Sequence, residues 1–285
     1  MDRAYTLHLP DGTAARTLVV MLHGCVQPAP EFAIATRMND AAAKRGWAVL
    51  WPEQSDKAHE LRCWNWYLPE NQRRDSGEAA ILAAMIRNVC DEHGFERVVM
   101  AGISAGAAMT AVLAANYPEL FEAIAMHSGV AFGAAASVAQ ALAVMRDGAG
   151  EPVALGRRVR GAMGGRRRVM PALVFHGGKD AALNPVNGTL LAQQWAVANA
   201  GALPAAHECV HREDGRYDAT IVTYEGASVE EWRIAPLGHA WSGGSAEATY
   251  TDPQGPDATA AIVDFFARHL SSLPTLISSP TTSST

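Results

Sequence analysis

The 285-residue sequence is poor in several features that would each have fixed its class. Four cysteines, Cys25, Cys63, Cys90 and Cys209, are too few and too scattered for a disulfide-scaffold protein. No run approaches the roughly 18 uncharged apolar residues that span a bilayer, so no membrane partner is expected. The opening residues, MDRAYTLHLPDG, lack the apolar centre of a signal peptide. A soluble protein is expected, either cytoplasmic or exported after loss of a leader. Positive charge is in deficit: 23 Lys plus Arg against 29 Asp plus Glu leave a net charge of −6. That balance opposes attraction to phosphate backbones and argues against nucleic acid as a partner. Neither GxGxxG nor GxxxxGK[ST] occurs, so a nucleotide-binding turn has no sequence to build it. With 49% apolar and 18% charged residues, the composition is that of a globular protein long enough to bury a core unaided.

Apolar runs closed by glycine dominate what is present. RTLVVMLHG, WAVLWP, RVVMAGIS, EAIAMHSG and PALVFHGG read as strands buried on both faces. Between them, EFAIATRMNDAAAKRG reads as one helix capped by Gly46, and a second helix opens with Asp75 and Glu78 as a capping box and ends near Gly94. AGAAMTAVLAANYP, residues 184–201 and ATAAIVDFFARHL complete the helices, and DATIVTYEG with VEEWRIAP supplies two late strands. Residues 132–168, rich in Ala, Gly and Arg, give no clear element. Strands alternating with helices predict an α/β fold with a mostly parallel, doubly wound sheet. No repeat or linker divides it, so residues 1–270 are read as one domain and 271–285, rich in Ser, Thr and Pro, as a disordered tail. Chemistry is expected at the carboxyl ends of the strands, after Leu22, Trp51, Ile103, His127 and Phe175.

Gly102-Ile103-Ser104-Ala105-Gly106 is a GxSxG string that follows a buried strand and opens a helix. That context puts a serine on a sharp turn with its hydroxyl above the sheet, the nucleophile elbow of α/β-hydrolases. A serine hydroxyl needs a base and an orienting carboxylate, here in the chain order Ser, Asp, His. Asp180, after PALVFHGGK, and His239, in the glycine-flanked loop 236–244, fit that order, whereas Asp252 and Asp257 follow the histidine. His23, His127 and His176 precede glycines at strand ends and read as structural. His8, His59, His93 and His269 read as remote from the strand ends. The oxyanion hole would take the Ala105 amide and one from the loop after the first strand, Cys25 or the neighbouring Val26.

The blocks MetLeuHisGlyCysValGln (21–27), CysTrpAsnTrp (63–66), GlyIleSerAlaGly (102–106), HisSerGly (127–129), HisGlyGlyLysAsp (176–180) and GlyHisAlaTrpSerGlyGly (238–244) resemble the polyhydroxybutyrate depolymerase-type esterases of the α/β-hydrolase fold. Feruloyl and acetylxylan esterases are relatives of that family. The resemblance implies a serine ester hydrolase with a triad of Ser104, Asp180 and His239 that needs no metal or organic cofactor. The sequence departs from the family pattern at Ala107 and in the residues after Asp180. No substrate-binding module is visible, which favours soluble esters or hydroxyalkanoate oligomers as substrates. A feruloyl or acetylxylan esterase would keep the same triad, and a catalytically silent binding protein of this fold is the alternative from another class.

Gln27, Trp64, Trp66 and Trp241 fall in loops expected beside the serine, where the tryptophans either wall a substrate pocket or pack the loops on the body. Cys25 and Cys63 follow neighbouring strands, so a disulfide between them is open. His207, Cys209 and His211 would share one face of an extended segment, but no fourth metal ligand is evident and the segment reads as a solvated loop. Six arginines (157, 158, 160, 166, 167 and 168) read as a solvated loop on an acidic chain. Oligomeric state is not legible.

Overall fold

The computed structural model describes residues 3–12 and 14–271. The expected tail, 271–285, lies outside the described residues apart from the backbone of Ser271. The first strand, β1 (Tyr5–His8), is followed by β2 (Thr17–Leu22), helices α1 (Ala29–Thr36) and α2 (Met38–Ala43), and β3 (Ala48–Pro52). Next come α3 (Gly77–His93), β4 (Arg97–Ile103), α4 (Ala105–Asn116) and β5 (Ala123–His127). Helices α5 (Val138–Asp147) and α6 (Pro152–Met163) lead to β6 (Ala172–Gly177) and α7 (Val186–Ala200). The chain closes with β7 (Ala206–His211), β8 (Ala219–Tyr224), β9 (Val229–Ile234), the short pair β10 (Trp241–Ser242) and β11 (Thr251–Asp252), and α8 (Ala258–Ser271).

Nine strands form one sheet in the order β1-β3-β2-β4-β5-β6-β9-β8-β7. The six from β3 to β9 run parallel, while β1 at one edge and β8 and β7 at the other run antiparallel. β2, β3, β5 and β6 are buried at every position. One face packs against α3, α4, α6 and α7 around Leu82, Ile86, Leu113 and Trp195. The other packs against α1, α2 and α8 around Phe32, Trp51, Phe265 and Phe266. Each such side chain contributes roughly 1.5–3 kcal/mol by leaving water, so burial on both faces accounts for the continuous apolar runs. Among the described residues no helix is long and apolar enough to cross a membrane.

Several expectations need correction. Arg37 adopts φ 53° and breaks the expected single helix into α1 and α2, its guanidinium reaching Gly243 O at 2.7 Å. Asp75 and Glu78 form no capping box; Asn71 Oδ1 accepts the Glu78 N–H at 2.7 Å instead. The freed Glu78 carboxylate turns inward and collects Arg3 (3.3 Å), Gln54 (2.5 Å) and the Asn65 main chain (2.8 Å). Residues 132–168 hold α5 and α6, so Arg157, Arg158 and Arg160 are helical rather than in a loop. The His207–His211 segment is the edge strand β7, not a loop, and is exposed at five of its six residues.

Candidate active site

Register places the site. Leu22 of β2 stands opposite Gly102 of β4, so the loops after both strands emerge side by side. Ser104, the residue between β4 and α4, has φ 55° and ψ −120°, a strained turn that lifts its side chain off the sheet. Gly106 makes that turn fit: a Cβ there would lie 2.1 Å from Leu22 O. Ala105 is the first residue of α4, and a first-turn N–H has no partner within the helix. Across the gap, Val26 donates its N–H to Leu61 O at 2.8 Å. Of the two amides open in the sequence, Val26 is therefore engaged, and Cys25 is the one facing the serine from a shared cavity.

Asp180 and His239 come together from different strand ends. Gly177 closes β6 with no room for a Cβ, which would sit 2.3 Å from Leu237 O. The tight approach lets Lys179 N donate to Leu237 O at 2.9 Å, clamping the 178–180 turn onto the His239 loop. His239 Nδ1 lies 2.7 Å from Asp180 Oδ2, while Asp180 Oδ1 accepts the N–H groups of Ala182 (2.9 Å) and Leu183 (2.8 Å). His176 Nε2 approaches the same Oδ2 at 3.3 Å. Burial alone would push the Asp180 carboxyl up, but the hydrogen bonds from His176 and His239 and the backbone outweigh it and hold it far below the carboxylate range. A carboxylate on Oδ2 requires the proton on His239 Nδ1, which leaves Nε2 as the basic nitrogen.

His127 and His23 brace the site from below. His127 Nε2 accepts the Ser242 N–H at 3.2 Å, so its Nδ1 carries the proton facing Ser128 Oγ at 3.1 Å. Burial first, then the neighbouring His176 and His239, pushes His127 down to about 3. His23 accepts the Gln54 N–H on Nε2 and is likewise lowered, mainly by burial.

Two cavities meet at Ser104. One, of about 340 Å³, is lined by Leu61, Trp64, Trp66, Tyr67, Val130, Leu142 and the Cys25–Cys63 disulfide, with His59 at its wall. The other, of about 230 Å³, is lined by Val26, Gln27, Ala182, His239 and Tyr250. Cys25, Met145 and Leu183 border both. The disulfide, with Cα atoms 4.3 Å apart, ties the β2–α1 loop to the loop carrying Trp64 and Trp66. Cys90 and Cys209 are free thiols.

Trp241 does not reach a cavity. It is fully buried, lies edge-on to Phe32 and stacks 5.2 Å from His127, and donates Nε1–H to Thr259 Oγ1 at 3.0 Å. Of the two roles open to it, packing is the one it takes. Gln27 borders the smaller cavity with its amide committed to Thr249 O at 3.1 Å. His59, expected to be remote, is a cavity wall. Leu142, Met145, Leu183 and Tyr250 escaped notice because no local pattern marks a residue brought in by tertiary contact. Among the described residues no cluster of three His, Cys, Asp or Glu side chains is arranged for a metal.

Comparison with known proteins adds sequence and fold relatives. The sequence profile of the family described as Esterase PHB depolymerase matches residues 3–216, which include Ser104 and Asp180 and stop short of His239. The poly(3-hydroxyalkanoate) depolymerase C of Paucimonas lemoignei is 33% identical over 193 residues, covering 66% of this chain and 46% of the depolymerase. Feruloyl esterase B of Thermothelomyces thermophilus is 29% identical over 191 residues, covering 62% of this chain and 64% of the esterase. The chain thus spans less than two thirds of the length of these relatives. Acetyl xylan esterase from Aspergillus awamori has the same fold, with a TM-score of 0.70 at 22% identity over 84% of this chain and 89% of that one.

Proposed function

The chain belongs to the PHB depolymerase esterase family, and on that basis we propose that it is a serine carboxylic ester hydrolase acting through an acyl-enzyme on Ser104. The 2.7 Å contact between His239 Nδ1 and Asp180 Oδ2, beside a cavity that His239 shares with Ser104, carries this reading. His239 Nε2 takes the Ser104 proton as Oγ adds to the ester carbonyl carbon. The carbonyl oxygen becomes an oxyanion and receives the Cys25 and Ala105 N–H groups. The tetrahedral adduct collapses, the C–O bond to the alcohol breaks, and His239 returns the proton to the leaving alkoxide. Water then attacks the acyl-enzyme with His239 again as base, releasing acid and free Ser104. Asp180 keeps the imidazole in its productive tautomer and stabilises the transient imidazolium.

Apolar walls favour soluble esters or short hydroxyalkanoate oligomers with an apolar acyl or alcohol part. A second reading, an aromatic acyl group of the feruloyl kind, draws support from the ring wall of Trp64, Trp66 and Tyr67. Residues 1–270 are read as one catalytic domain, since a single sheet carries all the proposed site residues. The Cys25–Cys63 disulfide favours an oxidising compartment. Hydrolysis of p-nitrophenyl acetate, butyrate and octanoate, and of methyl ferulate, tests the proposal. Activity should fall about ten-thousand-fold or more in Ser104→Ala and in His239→Ala at unchanged folding. Activity that survives loss of Ser104 would overturn it. The ratio of ferulate to butyrate turnover decides between the two substrate readings.

A further inference from the structure

We propose that His176 is a positioning residue of the reaction, its Nε2–H fixing the carboxylate that orients His239; the proposal rests on the triad reading above. His176 is the penultimate residue of β6 and 3% exposed. Its Nε2 lies 3.3 Å from Asp180 Oδ2 and 3.2 Å from Leu183 O. Both neighbours accept only, so this nitrogen carries the proton. Nδ1, at the other side of the ring, is buried without a hydrogen-bond partner. A buried polar atom left unanswered is costly, and an apolar side chain would avoid that cost. What the imidazole provides here and an apolar residue would not is the donor aimed at Asp180. The surrounding helix is shaped to admit it: a Cβ on Gly188 of α7 would stand 2.5 Å from His176 Cβ.

Asp180 Oδ2 therefore serves two imidazoles, one from the loop after β9 and one from β6 itself. The first moves through the reaction cycle from neutral to cationic; the second stays fixed by the sheet. Because His176 also holds Leu183 O, it ties the carboxylate to the turn whose Ala182 and Leu183 N–H groups bind Oδ1. Other groups facing it do not duplicate this contact. His127 on β5 is engaged with Ser128 and Ser242. Arg233, its register neighbour on β9, is held by Glu231 and Glu208. Lys179 is exposed, and α7 brings no charged residue.

The test is p-nitrophenyl butyrate hydrolysis across pH by the full chain and by His176→Gln, His176→Asn and His176→Leu, with Ser104→Ala and Asp180→Asn alongside and the thermal midpoint of each recorded. A glutamine amide reaches about as far as Nε2, an asparagine amide falls one methylene short, and leucine fills space with no donor. Gln should stay within about three-fold of the native kcat, while Asn and Leu lose about ten-fold in kcat at unchanged KM, the loss expected for a hydrogen bond to a charged group. In Asn and Leu the acid limb of kcat/KM should move to higher pH, because a carboxylate relieved of one donor draws the His239 proton more strongly. Native kcat and an unmoved acid limb in Asn and Leu would overturn the proposal. So would a Gln variant that falls as far as Leu in both activity and thermal midpoint, since His176 would then only fill space. Failure of the triad reading looks different: Ser104→Ala or Asp180→Asn would keep native activity.

Discussion

Ser104 occupies a backbone conformation that costs an L residue energy, and its neighbours enforce it rather than merely tolerate it. Gly106 is the tightest of those neighbours. Gly106→Ala should destabilise the fold by about 3 kcal/mol or more, since the new methyl would meet a backbone oxygen that cannot step aside; urea unfolding measures it. Single residues were also where the sequence was most and least informative. GxSxG in its strand-to-helix context named the serine, and chain order named Asp180 and His239, because those constraints are local or ordinal. The choice between Cys25 and Val26 was not local: it depends on Leu61 O, which lies 35 positions further on. Trp241 and His59 exchanged expected places for the same reason, since loop membership does not say which way a ring turns.

The loop between β3 and α3 has little regular structure and is held by three kinds of tie: the buried Glu78 carboxylate, the Trp64 Nε1–H on His23 O at 3.1 Å, and the Cys25–Cys63 bond. The disulfide spans 38 positions, so replacing both cysteines by alanine should cost about 4 kcal/mol through freed chain entropy. Urea titration with and without reductant reads this directly, and reductant should leave the double variant unchanged. The parallel strands were legible because burial on both faces writes an unbroken apolar run. β1 and β7 were not, because edge strands exposed to water need no such run. Helix α6 carried a readable signal that Ala, Gly and Arg obscured: Leu155, Val159 and Met163 recur every four residues and are its buried stripe, behind Glu151, whose carboxylate caps the Val153 and Ala154 N–H groups.

Buried neutral imidazoles give the whole molecule an acid weakness. His127 is held at about 3 in the folded state, against 6.5 for a free imidazole, chiefly by burial. Unfolded chains therefore bind a proton below about pH 6.5 that the folded chain refuses, so stability full above that pH drains away as pH falls toward 3. His23 acts in the same direction. Asp180, held ionised by its donors, adds a further loss below roughly pH 4, where its unfolded counterpart protonates. Urea midpoints should fall between pH 7 and pH 5, and His127→Gln, which keeps an acceptor for Ser242 N–H without titrating, should flatten that fall.

The two cavities that meet at Ser104 also govern what happens after the first half of the reaction. Once the alcohol departs, one chamber still grips the acyl group and the other stands open to whatever nucleophile diffuses in. Water has no claim on that chamber beyond its concentration, and a short apolar alcohol should fit its Val26 and Tyr250 walls better. Added butanol should thus divert the acyl-enzyme into butyl ester, with initial rates following a ping-pong pattern and a product ratio linear in alcohol concentration. A hydrolase built this way is also a transacylase whenever its medium supplies the second alcohol.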